Sequence, residues 1–590
     1  MKKKFLLIAG ALIFSVGNTI GQSPDFLWTN GIGDTLSDYG SCIAVDGNGN
    51  VFTAGIFRGT VDFDPGAGTF NLTSDTVGYN DIFISKSDSN GNFIWAKQIG
   101  GPGGDECFSI TLDAFGNFYM TGLFSRTVDF DPDTGVFNLT SLALNGDIFI
   151  LKLSNAGNFV WAKAMGGIQN SIGISVAVDP LGGDGVYTTG TFGSGTVDFD
   201  PGAGQYNLTA TAGKYIFISK LDSSGNFVWA KAVGGTGGFD EGRSIAIDPS
   251  GSKDVYTTGY FLGMADFNPD TGIADTFNLT SAGNNDIFIS RSDSSGNLIW
   301  AKQIGSSDND QGRSLAIDAS GNIYTTGFFT GTVDFDPGIG QFYLTAAGSN
   351  EIFISKLDRS GNFIWAKVLS GTGNDAGSSL ALDASANIYT VGYFEGTVDF
   401  DPGAGIFNLT SAGSGDIFIS KLDSSGNFIW AKTAGGTNWD NGQAIAMGPS
   451  GNVHVTGSFL SPSISFGTST LTNASANNNS YDLFFAKLDT TISTGDYELK
   501  SVSRDIFLFP NPANNHLTIE LDNSNKSNII SKDYNLEVTI SDIAGKIIYS
   551  NTLKEKYSLE LDPKIFSNGI YFVRIKNSGF ARMKKLIIAK

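Results

Sequence analysis

Histidine and cysteine are nearly absent from this sequence: its 590 residues hold two of each. Two cysteines cannot build a disulfide scaffold, so any core must rest on packing and sheet pairing. His454 and His516 stand far apart, with no nucleophile or ligand spacing around either, and each reads as a satisfied structural histidine. No His-rich or Cys-rich metal pattern occurs. Positive charge is scarce too, with 37 Lys and Arg against 58 Asp and Glu. Residues 22–490 alone carry 20 basic and 47 acidic residues, a net of −27. Such a body repels nucleic acid and anionic membrane, so neither is expected as a partner. Past the N-terminus there is no apolar run long enough for a transmembrane segment.

The N-terminus itself reads as an export signal, residues 1–21. Lys2, Lys3 and Lys4 precede an apolar run from Phe5 to Val16, and the small residues Thr19 and Gly21 prepare a cut before Gln22. The mature chain is therefore expected outside the cytoplasm.

What is abundant is glycine, at 77 residues, and phenylalanine, at 46. Without a collagen period, that pairing points to an all-β chain of many short strands and tight turns. Tryptophan supplies the period. Trp28, Trp95, Trp161, Trp229, Trp300, Trp365 and Trp430 lie 67, 66, 68, 71, 65 and 65 residues apart. A fixed repeat sets the fold before any local motif does.

One unit shows four strand signals: Ser314–Asp318, Ile323–Phe329, Ile352–Asp358 and Phe363–Lys367. Ser-Gly-Asn turns close two hairpins within it, and four strands per repeat is the unit of a β-propeller blade. Between the second and third strands, Thr332–Gly338 and Phe342–Thr345 predict an extra small hairpin, turned by Pro337 and Gly338. First-strand signals number seven. The last repeat has no fourth strand with a tryptophan, and Asp25-Phe26-Leu27-Trp28 stands orphaned at the other end. Pairing the orphan with the last repeat predicts a closed seven-bladed propeller without exposed edges over residues 22–490.

From Trp28 to Asp489 the repeat resembles the bacterial propeller repeats called SBBP repeats. The hairpin Ile317–Tyr324 is also similar to NHL-type blades, and the Asp-x-x-Gly-x-x-x-Trp spacing at Asp423–Trp430 resembles quinoprotein propellers. These resemblances imply a fold and no single function. A quinoprotein pocket would imply vicinal cysteines, and there are none. Residues 491–504 read as a linker, and residues 505–590 as a small Ig-like β-sandwich. Phe509-Pro510-Asn511-Pro512, the Asp542 to Lys546 turn, the strand Gly569-Ile570-Tyr571-Phe572-Val573 and a basic last strand resemble the type A C-terminal sorting domain of the type IX secretion system. That resemblance implies passage through the periplasm and across an outer membrane, with the secretion machinery as a partner.

Two repeated acidic features are candidate sites. Asp38, Asp105, Asp240, Asp310, Asp375 and Asp440, with Ser171 as the exception, would ring one mouth of an axial channel if the first strands line it. Such a ring would hold a cationic ligand, whereas turn closure is the simpler role. The second feature is Asp-Phe-Asp-Pro, which pairs Asp62 with Asp64, Asp129 with Asp131, Asp198 with Asp200, Asp334 with Asp336, and Asp399 with Asp401. Carboxylates two apart on a strand share a face and suit Ca²⁺, although loop carbonyls would have to complete the shell, and turn closure is again the simpler role. Cys42 and Cys107 lie on successive first strands, whose Cα atoms are expected beyond the roughly 7 Å reach of a bridge. Near-uniform repeats favour a non-catalytic binding or scaffold protein for glycan, peptide or protein, over a secreted enzyme acting on polysaccharide with its site in mouth loops.

Overall fold

The computed structural model describes residues 24–490 apart from 77, 180–184, 269–275 and 476–479. Beyond these it describes 506–509, 513, 516–521, 535–542, 546–554, 558–576 and 581–589. The expected export signal and the expected linker lie outside the described residues. The chain divides into two compact units, residues 1–491 and 492–590.

In the first unit, strands rich in Ile, Phe, Val and Thr pair antiparallel in consecutive groups of four. One group is Gln311–Ile317, Ile323–Phe329, Glu351–Leu357 and Phe363–Gly371. Thr332–Asp334 and Tyr343–Thr345 form a separate small hairpin between its second and third strands. Six groups are built from consecutive strands. In the seventh, Asp440–Met447, Val453–Phe459 and Asp482–Leu488 take their fourth strand from Phe26–Ile32. Trp28 lies opposite Lys487 there, the register that Trp95 keeps with Lys86. Each first strand packs beside the next, and Asp440–Met447 packs beside Tyr39–Val45, so the row returns on itself.

The first strand begins earlier than its β-branched residues predict, at Gln311 where Ser314 is the first obvious strand former. A bulge between Gly312 and Ser314 lets the polar start of the strand stay in the ladder. Opposite it lies Gly327, and a Cβ there would collide with the Gln311 carbonyl. Turns are closed by side chains. Asp318 Oδ1 accepts the amides of Ser320 and Asn322, both at 2.9 Å, and Gly321 takes φ +83°.

The core lies between neighbouring sheets. Ile287 and Ile289 of one pack with Leu315, Ile323 and Phe353 of the next. Four tryptophans, Trp28, Trp161, Trp229 and Trp300, tie sheets at their outer strands: Trp300 Nε1 donates to the Arg359 carbonyl of the following turn, 3.3 Å away.

The second unit holds a three-stranded sheet of Ile506–Phe509, Leu517–Leu521 and Ser558–Leu561. Its four-stranded sheet runs Ile547–Lys554, Asn535–Asp542, Gly569–Lys576 and Ala581–Ile588. Ile519, Val538, Ile540, Val573 and Leu586 form its core. Among the described residues no helix is long and apolar enough to cross a membrane.

Candidate functional site

The first strands line a cavity of about 420 Å³. Its wall has two layers with different duties. One layer is a row of serines, and four of them tie sheet to sheet. The amides of Val176, Ile245, Leu315 and Leu380 donate to the hydroxyls of Ser109, Ser175, Ser244 and Ser314, each at 3.2 Å.

The residue just before that row differs in nearly every repeat: Ser41, Phe108, Ile174, Arg243, Arg313, Ser378 and Gln443. Phe108 and Ile174 make one side apolar, and the two arginines make the next side cationic. Arg243 pairs with Glu241 at 2.5 Å and lies over the Tyr260 ring. Arg313 lies 4.9 Å from the Phe328 ring centre and 5.9 Å from that of Tyr393. No acidic side chain among the described residues forms an ion pair with Arg313. Burial, above all, and then the nearby Arg243 act against its charge, outweighing the help from Tyr393. A guanidinium does not deprotonate in a protein, so this is a partly desolvated cation on the cavity wall. On the seventh first strand, Asn441 Oδ1 and Gln443 Oε1 are buried without hydrogen-bond partners.

The expected ring of aspartates is placed differently. Asp38, Asp105, Asp240, Asp310, Asp375 and Asp440 are fully buried and absent from the cavity wall. Each lies at the start of its first strand and accepts amides from its own sheet. Asp310 takes those of Ser306 and Thr330, and Asp375 takes that of Glu395. Burial raises their pKa values to about 8 for Asp38 and Asp105, 7 for Asp240 and Asp375, and 6 for Asp310 and Asp440. The fold thus builds enclosed loop clamps at these positions, in which Oδ1 accepts backbone amides while Oδ2 of Asp105, Asp240 and Asp375 is buried without a hydrogen-bond partner.

A second buried acid escaped the sequence reading. Asp81, Asp147, Asp286, Glu351, Asp416 and Asp482 open the third strands, where each merges into an apolar run. Burial raises all six, Asp482 to about 7 and Asp81 to about 6. The charges of Asp81 and Asp482 further raise Asp105 and Asp38, respectively, of the following sheet.

The Asp-Phe-Asp-Pro carboxylates do not share a strand face, which corrects the expectation for all five pairs. Asp62, Asp129, Asp198, Asp334 and Asp399 are each the last residue of a strand. Asp64, Asp131, Asp200, Asp336 and Asp401 therefore lie beyond the strand ends, in the turn. The first aspartate of each pair clamps two amides: Asp62 Oδ1 accepts those of Asp64 and Phe70. Asp129, Asp198, Asp334 and Asp399 do the same for their own turns.

The second aspartate of each pair closes a tighter turn two residues on. Asp64 accepts the amide of Gly66, Asp131 that of Asp133, and Asp200 that of Gly202. Asp336 accepts the amide of Gly338, and Asp401 that of Gly403. The oxygens expected to face one ion are thus directed at backbone in two different turns. The phenylalanine between them is the anchor, with Phe63, Phe130, Phe199, Phe335 and Phe400 all fully buried. Among the described residues no three His, Cys, Asp or Glu side chains are grouped to hold a metal.

His454 is buried with no partner on either ring nitrogen. It fills the aromatic position held by Phe52 and Tyr119 in other repeats, and stacks 6.1 Å from Trp28. The expectation of a satisfied histidine fails because sheet packing admits a ring there and offers no donor or acceptor. Burial, helped by Lys487, lowers its pKa to about 3.

Residues 507–589 match the family model of a secretion system C-terminal sorting domain, and residues 94–123 and 299–327 match that of a β-propeller repeat, SBBP. The protein therefore carries β-propeller repeats and a type IX sorting domain, which directs export to the cell surface or the medium and engages the secretion machinery. An uncharacterized WD repeat-containing protein of Acanthamoeba polyphaga mimivirus is 27% identical over 552 residues, covering 79% of this chain and 38% of that protein. The regulatory protein FlaEY of Caulobacter vibrioides is 27% identical over 146 residues, 25% of this chain and 15% of its own. The chain thus spans well under half of these relatives. Sqt1 from Chaetomium thermophilum is similar at 11% identity and a TM-score of 0.34, over 75% of this chain and 83% of that structure.

Proposed function

We propose that the repeat unit is a closed seven-bladed propeller serving as an exported binding module. We further propose that its axial cavity takes a small ligand bearing an anionic group beside an apolar one, such as an acidic sugar or a peptide carboxylate. The closure reading is supported by the seven groups of four strands and by the N-terminal strand that completes the last. The second unit is read as an Ig-like sandwich of its two sheets. The aspartates of both repeated features are assigned to loop closure and not to calcium.

The observation that carries the binding role is the half-buried Arg313, without an acidic partner among the described residues, facing a cavity with unlike walls. About 420 Å³ lies within the usual range for small-molecule sites, which combine apolar walls with a few placed polar groups. An enzyme would need an acid–base group beside any nucleophile, and the described wall sets arginine, amide, thiol and hydroxyl groups together with no Asp, Glu or His among them. The test is calorimetric binding of acidic mono- and oligosaccharides and aromatic carboxylates to the full chain, with neutral analogues as controls. Acidic ligands should bind, and Arg313→Gln should weaken them at least tenfold while leaving the melting temperature within a few degrees. Equal binding of neutral analogues, or turnover of a polysaccharide with Arg313 dispensable, overturns the reading.

A further inference from the structure

The repeats depart from their own pattern at one sheet boundary in three positions at once. Glycine occupies the bulge of the first strand at Gly40, Gly173, Gly242, Gly312, Gly377 and Gly442. It is required there, because a Cβ at Gly173 would run into Thr121 of the preceding sheet, and at Gly242 into Thr189. In the second sheet the same position is Cys107. The preceding sheet makes room for it by carrying Ala54 where five others carry that threonine and the sixth carries Val391. The third departure is Cys42, which stands where the serine row has Ser109, Ser175, Ser244 and Ser314.

Together the three changes bring Cys42 Sγ within 3.5 Å of Cys107 Sγ, with both residues buried. Adjacent inner strands therefore do not keep the sulfurs apart, because the missing threonine side chain leaves them room to meet. A disulfide needs them to close to about 2.05 Å, a movement of about 1.5 Å.

We propose that Cys42 and Cys107 form a disulfide that staples the first sheet of the ring to the second after export. A protein disulfide oxidant of the cell envelope is the oxidant by class. One cysteine thiolate attacks the oxidant's disulfide and displaces one of its thiolates, giving a mixed disulfide. The other cysteine thiolate then attacks the protein sulfur and displaces the second. The protein loses two S–H bonds and gains one S–S bond. Its two protons go to solvent, or onto the displaced thiolates, and two electrons reduce the oxidant to a dithiol. Burial in the finished ring raises the Cys42 thiol, so the exchange belongs to the folding chain, before the sheets close over it. The staple joins the sheet next to the closing sheet, where peeling of the N-terminal strand would first loosen the ring.

The test uses the full chain exported through an oxidising compartment, denatured and alkylated without reduction, then digested and mapped by mass. Neither cysteine should be alkylated, and a Cys42–Cys107 linked peptide should appear and vanish on reduction. Two alkylated cysteines, or a bridge between two chains, overturns the proposal. Cys42→Ser restores the repeat's serine and keeps the variant foldable. Its Cys107 should alkylate fully, and its melting temperature should ignore reductant present during refolding while that of the parent falls. A parent whose refolded melting temperature is equal with and without reductant refutes the stapling role.

Discussion

Replacing Trp28 by alanine tests whether the N-terminal strand closes the ring as firmly as an internal one. Its indole is half-buried, set edge-on to Phe485 at 5.8 Å, and its Nε1 donates to the Ser89 carbonyl at 3.2 Å. Full removal of a core tryptophan costs about 3–5 kcal/mol. Half-burial brings that to about 2 kcal/mol, and the lost hydrogen bond adds about 1 kcal/mol. Trp300 is the internal control, equally half-buried, T-shaped against Tyr256 at 6.2 Å and bonded to the Arg359 carbonyl. Both alanine variants should therefore lose about 3 kcal/mol. All eight tryptophans fall between residues 28 and 439, so fluorescence in urea reports on the repeat unit alone. A loss below about 0.5 kcal/mol for Trp28→Ala, beside the full loss for Trp300→Ala, would mean that the terminal strand is not part of the cooperative ring.

Three further outcomes are expected. Ala386 holds φ +58° at a turn position where Gly49, Gly116 and Gly321 hold +82°, +77° and +83°, so Ala386→Gly should stabilise by about 1 kcal/mol in denaturant melts. His454→Phe should stabilise by about 1 kcal/mol, since it places Phe52's counterpart over Lys487 and removes two unpaired nitrogens, and a loss of stability would show that the histidine is bonded. The buried aspartates have folded pKa values raised above the unfolded value near 3.8, so their contribution is present below about pH 4 and fades as pH rises through 6 to 8. The melting temperature should accordingly fall between pH 5 and 8, and Asp375→Asn should make that fall shallower; an unchanged slope would contradict the burial argument.

The sequence made the strands legible because tryptophan recurs at a fixed structural position, the fourth strand of each group. It also made the outer hairpin legible, through Pro337 and Gly338. What it hid follows from treating repeated columns as the informative ones. Asp38 and its counterparts suggested an open ring, yet repetition reflected a shared need to clamp backbone amides. Asp-Phe-Asp-Pro suggested two carboxylates on one face, yet the strand stops at the first, because the buried phenylalanine turns the chain. Asp81 was invisible inside the run Asp81-Ile82-Phe83-Ile84, where nothing local marks a carboxylate that folds against the next sheet. Arg243 and Arg313 sat in the column before the serine row, which could have been found by asking where the repeats disagree.

That question separates structure from function in a cyclic repeat. A side chain shared by most units answers a demand that most sheet boundaries make, and the buried aspartates, in six of seven units, and threonines, in five of seven, are of this kind. A single asymmetric ligand cannot use seven equal contacts, so recognition must fall where the units differ. The axial wall is such a place, and its charge is opposite to that of its surroundings: two arginines at the centre of a body with net charge −27. At long range that body repels an anion, while at short range the half-buried Arg313 attracts it. Salt screens the distant repulsion over about 8–10 Å and reaches a buried contact far less. Anion association should therefore quicken as ionic strength rises toward about 0.15 M, the reverse of ordinary charge steering. An on-rate that falls with salt would mean the ligand is cationic and meets the acidic surface instead of the arginine wall.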